Sequence, residues 1–383
     1  MEKSIIKIST PNKSAETGRF PINKSPEPNF INANNDEEAI NYWLSIFENS
    51  PKTLKNYSKE AERLHLWASK KGLALSELTA NHLTQYSNFL RNPLPECEWI
   101  GKKQKKYNEN GDLNINWRAF TGPLSQSSAQ TALASLSSLF ECLVKNGYLK
   151  LNPIVLRNTA GKKALEKTCE RYFTKEALEF LFESIEQFPK ELPEEEQIYS
   201  RARFVIKLLY YTGIRREEAA KLSEDSIYIE DNNYWLKVAG KGTKSDNDYD
   251  LVPIPEKLKI EIGRYLNTFE KHKNVDLKEI PLIKPIRNKN STKFTTAQSV
   301  YLMVKKIFKK TANIAKEKDE TSHLVEIFES ASPHWLRHTS ATHQLNLHGD
   351  IKTVQLNMRH ASINTTTIYL HKDRKDRHAK TEF

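Results

Sequence analysis

The residues of this chain that could do chemistry gather in a few short clusters. The first is Tyr211-Thr-Gly-Ile-Arg-Arg-Glu-Glu-Ala-Ala-Lys-Leu222, in which Gly213 breaks an apolar run and Arg215 falls at the mouth of the next segment. Lys241 lies in a Gly240-Lys-Gly turn, and His334-Trp-Leu-Arg337-His338 is a second compact group. Arg359-His360 follows, with Tyr369 nine residues after the histidine. Arg215, Lys241, His334, Arg337, His360 and Tyr369 share one chemical use, attack on a phosphodiester by a side-chain hydroxyl. Charge that builds on the equatorial oxygens of the transition state suits the planar forked donors of two guanidiniums. A phenol with pKa about 10 is a weak nucleophile at neutral pH and needs a base or an electropositive pocket. A leaving alkoxide needs a proton, which a lysine can supply.

Two sets of elements must position these groups. Residues 1–36, rich in Asn, Ser, Pro and Lys, are expected to form a disordered tail. From Asp36 the pattern turns helical, with Ile40, Leu44 and Phe47 on one stripe. Ser50-Pro51 predicts an N-cap and a first-turn proline, then Leu54, Tyr57, Ala61, Leu64 and Trp67 recur at helical spacing up to a stop at Gly72. A third helix is expected from about Thr79 to the Asn92-Pro93 break, and a fourth over roughly Ser127–Lys145 ended by Gly147. Residues 37–154 are thus predicted to be a small helical domain, with Tyr57, Trp67 and Tyr86 in its core. A basic insertion at 95–124 interrupts it, carrying Lys102, Lys103, Lys105 and Lys106 between Trp99 and Trp117. That insertion is either a solvated excursion anchored by its tryptophans or a loop that touches phosphates. Residues 155–171, with Lys162 and Lys163, predict a basic linker able to lie along a duplex.

The second domain, 172–383, is expected to be mostly helical with one small β-hairpin or meander. Thr174 can cap a helix carrying Leu178, Leu181 and Phe182, and Glu191–Glu196 is expected to be a solvated loop. Arg201–Tyr211 is apolar almost all round and predicts a buried helix. Strands are expected at Tyr234–Val238 and near Tyr249–Pro253, with helices from there to about residue 370.

Composition narrows the function classes. Lys plus Arg is 59 and Asp plus Glu is 48, a net charge of +11 that favours a polyanionic partner, nucleic acid before membrane. The longest apolar stretch, Phe204–Tyr211, is far short of the roughly 20 residues needed to span a bilayer. MEKSIIKIST lacks the apolar core of a signal peptide, so a reducing cytoplasm is the expected compartment. Cys97, Cys142 and Cys169 form no CxxC pair, which argues against a disulfide scaffold or a cysteine-rich zinc site. His334 and His338 are four apart, a metal-compatible spacing, but no HExxH occurs and no metal is expected. Gly240-Lys-Gly-Thr-Lys-Ser fails as a phosphate loop because Gly242, not Ser or Thr, follows Lys241. No cofactor is expected.

The order Arg, Lys, His-x-x-Arg, His, Tyr resembles the tyrosine recombinase (phage integrase) family. Its T-G-[LI]-R-x-x-E motif matches Thr212–Glu218, its G-K-G turn matches Gly240–Gly242, and its H-x-L-R-H-[ST] matches His334–Thr339. Its G-H-x-x-x-x-x-T-x-x-Y-x-H ending matches His360, Thr366, Tyr369 and His371. The N-terminal helices look like the family's core-binding domain, so the resemblance spans about residues 37–371. It implies a site-specific recombinase that integrates, excises or resolves a mobile genetic element without ATP. Arg215 and Arg337 would clamp the scissile phosphate, and His360 would hydrogen-bond one of its oxygens. Lys241 would protonate the 5′-hydroxyl, and His334 would be the base for Tyr369, which attacks to form a 3′-phosphotyrosyl link. Glu218 would position Arg215, and His338 would pack behind the site. The resemblance further implies a C-shaped clamp on double-stranded DNA at specific attachment or crossover sites. It implies a homotetramer on synapsed duplexes, a tail after Tyr369 that docks on a neighbouring protomer, and residence on a bacterial nucleoid. Two other classes share parts of the pattern: a type IB-like DNA topoisomerase and a non-catalytic DNA-binding accessory protein.

Two positions and one segment depart from the family pattern. Glu217 stands where a small residue is usual and Arg359 where glycine is usual. The hairpin after Lys241 is longer and more acidic, which makes Lys244 a rival general acid. Arg359 either shifts the His360 backbone or adds a phosphate contact. Arg216, His343, His348 and His378 are expected to be solvated.

Overall fold

Helix starts are set by short polar side chains that satisfy first-turn N–H groups, each worth about 1 kcal/mol. Asn35 does this for α1 (Asp36–Ser45), accepting from the Glu38 N–H at 2.9 Å. Thr79 and Ser125 do it for α3 (Ala80–Arg91) and α5 (Gln126–Lys145). Between them, α2 (Pro51–Lys70) begins on its proline, with Ser50 making no side-chain cap bond. The short α4 (Glu96–Trp99) lies in the insertion. The computed structural model describes residues 23–25, 28–112, 114–155, 171–240, 249–269, 275–286, 292–317, 319–360 and 362–367. The chain divides into two units, Met1–Ala164 and Leu165–Phe383.

The first unit buries the apolar stripes of α1, α2, α3 and α5 together, with Ile40, Leu64, Tyr86, Leu136 and Phe140 fully enclosed. Trp43 stacks on Tyr57 at 4.8 Å and joins the first two helices. The basic insertion is tied down where Ile100 pairs with Phe120, and the Trp99 and Phe120 rings are both buried. Part of the expected disordered tail is in fact docked. Asn23 bonds the backbone of Leu151 in both directions at 2.8 Å, and Lys24 pairs with Leu149. The bidentate amide, which composition does not reveal, fixes this segment together with backbone bonds from Asn23 N–H to Ser76 O and from Lys150 N–H to Asn23 O. Residues 1–22 and the linker residues 156–170 lie outside the described residues.

The second unit opens with α6 (Lys175–Glu186), capped by Thr174, whose hydroxyl accepts from the Ala177 N–H at 3.2 Å. Next comes α7 (Pro193–Thr212), which starts eight residues earlier than its apolar run. Glu194, Glu195 and Glu196, expected in a loop, are its first turn. Proline at the helix start and carboxylates at the positive end of the helix dipole favour helix here. A short α8 (Arg216–Ala219) leads into a three-stranded antiparallel meander of β1 (Ile227–Glu230), β2 (Asn233–Ala239) and β3 (Tyr249–Pro253). The sequence-based hairpin misses β1, which pairs Ile227 with Leu236 through a two-residue turn at Asp231-Asn232, both with positive φ.

The remaining helices are α9 (Glu256–Asn267), α10 (Ala297–Lys316), α11 (Leu324–Ser330), α12 (Pro333–His348), α13 (Ile351–Met358) and α14 (Ile363–Thr367). The stretch 275–286, expected to be helical, runs irregularly beside residues 222–226: Leu282 N–H donates to Leu222 O at 2.8 Å, and Glu224 N–H to Ile280 O at 2.9 Å. Its apolar Ile280, Leu282 and Ile283 are buried by this backbone pairing rather than by helical periodicity. The unit's core includes the fully buried Phe173, Phe204, Tyr265, Phe308 and Phe328. Phe204 of α7 stacks on Tyr265 of α9 at 4.1 Å.

Candidate active site

Ser332-Pro333 starts α12, so His334 falls in its first turn and Arg337 one turn later. Arg337 is 2% exposed. Its Nη1 donates to the carbonyl of Gly213 at the end of α7, and its Nη2 donates to the carbonyl of Met358 at the end of α13. One guanidinium therefore ties α12 to the ends of two other helices. Gly213 is required for this twice over. Its φ of +59° closes α7 in the left-handed region, and a Cβ there would lie 2.5 Å from Met358 Cε.

The turn at Gly213 delivers Arg215 to the N-cap of α8. Glu218 Oε2 accepts the Arg215 N–H at 2.6 Å, and Glu218 Oε1 accepts the Arg215 Nη1 at 2.9 Å. The same carboxylate takes Nη2 of Arg359, whose Nε also lies 3.7 Å from Asp250 Oδ2 on β3. Arg359 ends α13 with φ +51° and ψ +51°, the left-handed conformation that glycine usually supplies at a helix end. The departure from the family's glycine is thus accommodated in the same backbone shape, with the side chain folded inward to 8% exposure.

Three histidines sit in the field of these arginines. His334 and His338 face each other edge to face with ring centroids 4.2 Å apart. Burial and the charges of Arg337 and Arg215 lower the pKa of His334. Burial, then neighbouring His334 and Arg337, push His338 down to about 4. His360 is also pushed down to about 4, by burial first and then by Arg337 and Arg215. All three are therefore held toward the neutral form, which retains a lone pair on the ring. His360 Nδ1 lies 2.8 Å from the Thr366 hydroxyl, which is fully buried. If that hydroxyl donates, Nε2 carries the ring proton and can donate in turn.

Arg215, Glu218, His334, Arg337, His338 and His360 thus form one constellation. Lys241, Lys244, Tyr369, His371, Lys162 and Lys163 lie outside the described residues. Lys102, Lys103 and Lys105 are exposed in the first unit, away from this constellation in the chain. Lys106 is half-buried: it pairs with Glu62 and sits 5.0 Å from the Tyr107 ring and 5.5 Å from the Trp117 ring, so it also braces the insertion. Two expectations of solvated residues fail. Arg216 lies over the Tyr301 ring at 5.2 Å, and His343 is half-buried against the Tyr210 hydroxyl at 3.0 Å. Sequence reasoning also missed Asp250, whose place beside Arg359 depends on strand register rather than on any motif. Among the described residues no group of three or more His, Cys, Asp or Glu side chains could hold a metal ion. No helix among them is long and apolar enough to cross a membrane.

Residues 171–376 match the model of the phage integrase family. The tyrosine recombinase XerC of Staphylococcus saprophyticus is 25% identical over 343 residues, covering 88% of this chain and 92% of that protein. XerC of Thermodesulfovibrio yellowstonii is 28% identical over 256 residues, covering 66% and 73% respectively. Among solved structures, the XerH site-specific recombinase bound to palindromic difH in a post-cleavage complex matches with a TM-score of 0.58 at 20% identity, covering 91% of this chain and 84% of that one. The Tn1549 transposon integrase in complex with transposon right end DNA matches with a TM-score of 0.58 at 15% identity, covering 90% and 98%. At these identities the structural matches speak to the fold.

Proposed function

Since the chain belongs to the phage integrase family, we propose that it is a site-specific DNA recombinase that cuts and rejoins duplex DNA through a 3′-phosphotyrosyl intermediate. The observation that carries this reading is the grouping of Arg215, Arg337, His334 and His360 in one electropositive site, where burial and the two guanidiniums lower the pKa of both histidines. Two guanidiniums offer the donors that a pentacoordinate phosphorus requires, and a neutral imidazole beside them is able to accept a proton.

In the proposed reaction the Tyr369 oxygen attacks the scissile phosphorus while its proton passes to His334. The bond from phosphorus to the 5′ oxygen breaks, and Lys241 protonates that oxygen. Arg215, Arg337 and the Nε2–H of His360 hold the non-bridging oxygens as their charge grows. The new ester between phosphate and tyrosine conserves the energy of the broken one, so a 5′-hydroxyl from another strand can reverse the step without ATP. Two duplexes present four strands to cut, and one nucleophile for each implies four copies of the chain on synapsed DNA. A mobile element's attachment sites are the proposed substrate, and the bacterial nucleoid the proposed location.

The test is a duplex nicked beside the scissile position, so that the short 5′-hydroxyl strand diffuses away and traps the adduct. The full-length chain should form a covalent complex that resists denaturant, and Tyr369→Phe should form none while keeping duplex affinity. An adduct in the Phe variant would show that another residue is the nucleophile. Relaxation of a plasmid that carries no attachment site would point to a topoisomerase instead.

A further inference from the structure

Arg359 occupies a position whose backbone conformation disfavours every residue with a Cβ, at φ +51°. Its N–H and that of His360 nevertheless close α13 normally, onto Leu356 O at 2.9 Å and Gln355 O at 3.1 Å. The arginine adds nothing to the helix end that glycine would not, so its contribution lies in the side chain. That side chain is 8% exposed, and its Nη2 takes one oxygen of Glu218. The other oxygen of Glu218 holds the Arg215 guanidinium. A single carboxylate therefore sits between two guanidiniums, one exposed at 44% and one enclosed. Asp250 steadies the enclosed one from β3.

We propose that Arg359 is a positioning residue for Arg215: by sharing Glu218 it fixes the carboxylate that aims Arg215 and leaves Arg215 more of its positive charge for the phosphate. Without Arg359, Glu218 turns its full charge on Arg215 and is held by Arg215 alone, through its N–H and Nη1. Both changes weaken the hold on a developing oxyanion. The alternative, a third direct phosphate contact, fits the geometry less well. Nη1 of Arg359 has no hydrogen-bond partner among the described residues, but it is shielded from solvent rather than presented to it.

This inference rests on the recombinase reading, and the experiment separates the two. Single-turnover adduct formation on the nicked duplex is measured for full-length wild type, Arg359→Gly, Arg359→Lys, Glu218→Gln and the R359G/E218Q double variant. Arg359→Gly should lower the rate about 10-fold with duplex affinity within about 2-fold, since the loss falls on the transition state. Arg359→Lys, which keeps the charge, should recover most of that rate. The double variant should be no slower than Glu218→Gln alone, because the two residues act through one carboxylate. Glycine relieves the left-handed backbone but removes the enclosed ion pair with Glu218, so each variant's rate is taken per folded enzyme, with the folded fraction read from its urea melt. Equal rates for wild type and Arg359→Gly, multiplicative losses in the double variant, or Arg359→Lys as slow as Arg359→Gly would each overturn the inference. A wild-type chain that forms no adduct would instead refute the recombinase reading, before Arg359 enters.

Discussion

The two arginines at the heart of the site are held in opposite ways. Arg337 is enclosed and bonds main-chain carbonyls from two other segments, so its position is part of the fold. Arg215 is 44% exposed and is held by a side chain three residues on, so its position is a local matter of one turn. The difference teaches that a pair of groups with the same task need not share a structural role. One is built into the fold through main-chain carbonyls; the other is held by a single neighbouring carboxylate.

That contrast breaks or sharpens under substitution. Arg337→Ala should lower the adduct-forming rate by about 1000-fold and also destabilise the chain by about 3 kcal/mol, because two buried carbonyls lose their donor. Arg215→Ala should lower the rate by about 100-fold yet shift stability by less than about 1 kcal/mol, as expected for a partly exposed ion pair. Urea melts beside the adduct assay check both, and equal stability losses would erase the distinction. Gly213→Ala should cost about 2 kcal/mol, since it combines a positive φ with a clash against Met358. A melt unchanged by this substitution would show that the junction under Arg337 is more pliant than its geometry suggests.

Stability should also depend on pH. His338 and His360 titrate near 4 in the folded chain, against an ordinary value of 6.5. The unfolded chain therefore takes up protons first as pH falls. Stability is complete above about pH 6.5 and is lost progressively down to about pH 4. Replacing His338 with Gln should flatten the urea midpoint's pH dependence across that window relative to wild type. An unchanged slope would mean that its ring is not held neutral by its surroundings.

Much of this was legible in the chain, for physical reasons. Apolar stripes around Leu64, Leu83 and Leu136, and stops at Gly72 and Gly147, are local signals that tertiary packing reinforced. The order of Arg215, His334, Arg337 and His360 was legible because each falls in a fixed local motif. What could not be seen was lateral. The pairing of Arg359 with Glu218 and Asp250 depends on three segments meeting, and the docking of Asn23 on Leu151 spans 128 positions. The acidic start of α7 was misjudged because charge suggested solvent, while its real effect was to favour the helix's first turn.

The reach of Arg337 has a consequence for when its place is complete. Its carbonyl partners lie 124 positions before it and 21 after it. A half-assembled chain, whether newly made or partly unravelled by heat, has no finished seat for this guanidinium. The guanidinium's place therefore depends on segments far apart in the chain having met, and no local stretch of sequence can build it alone.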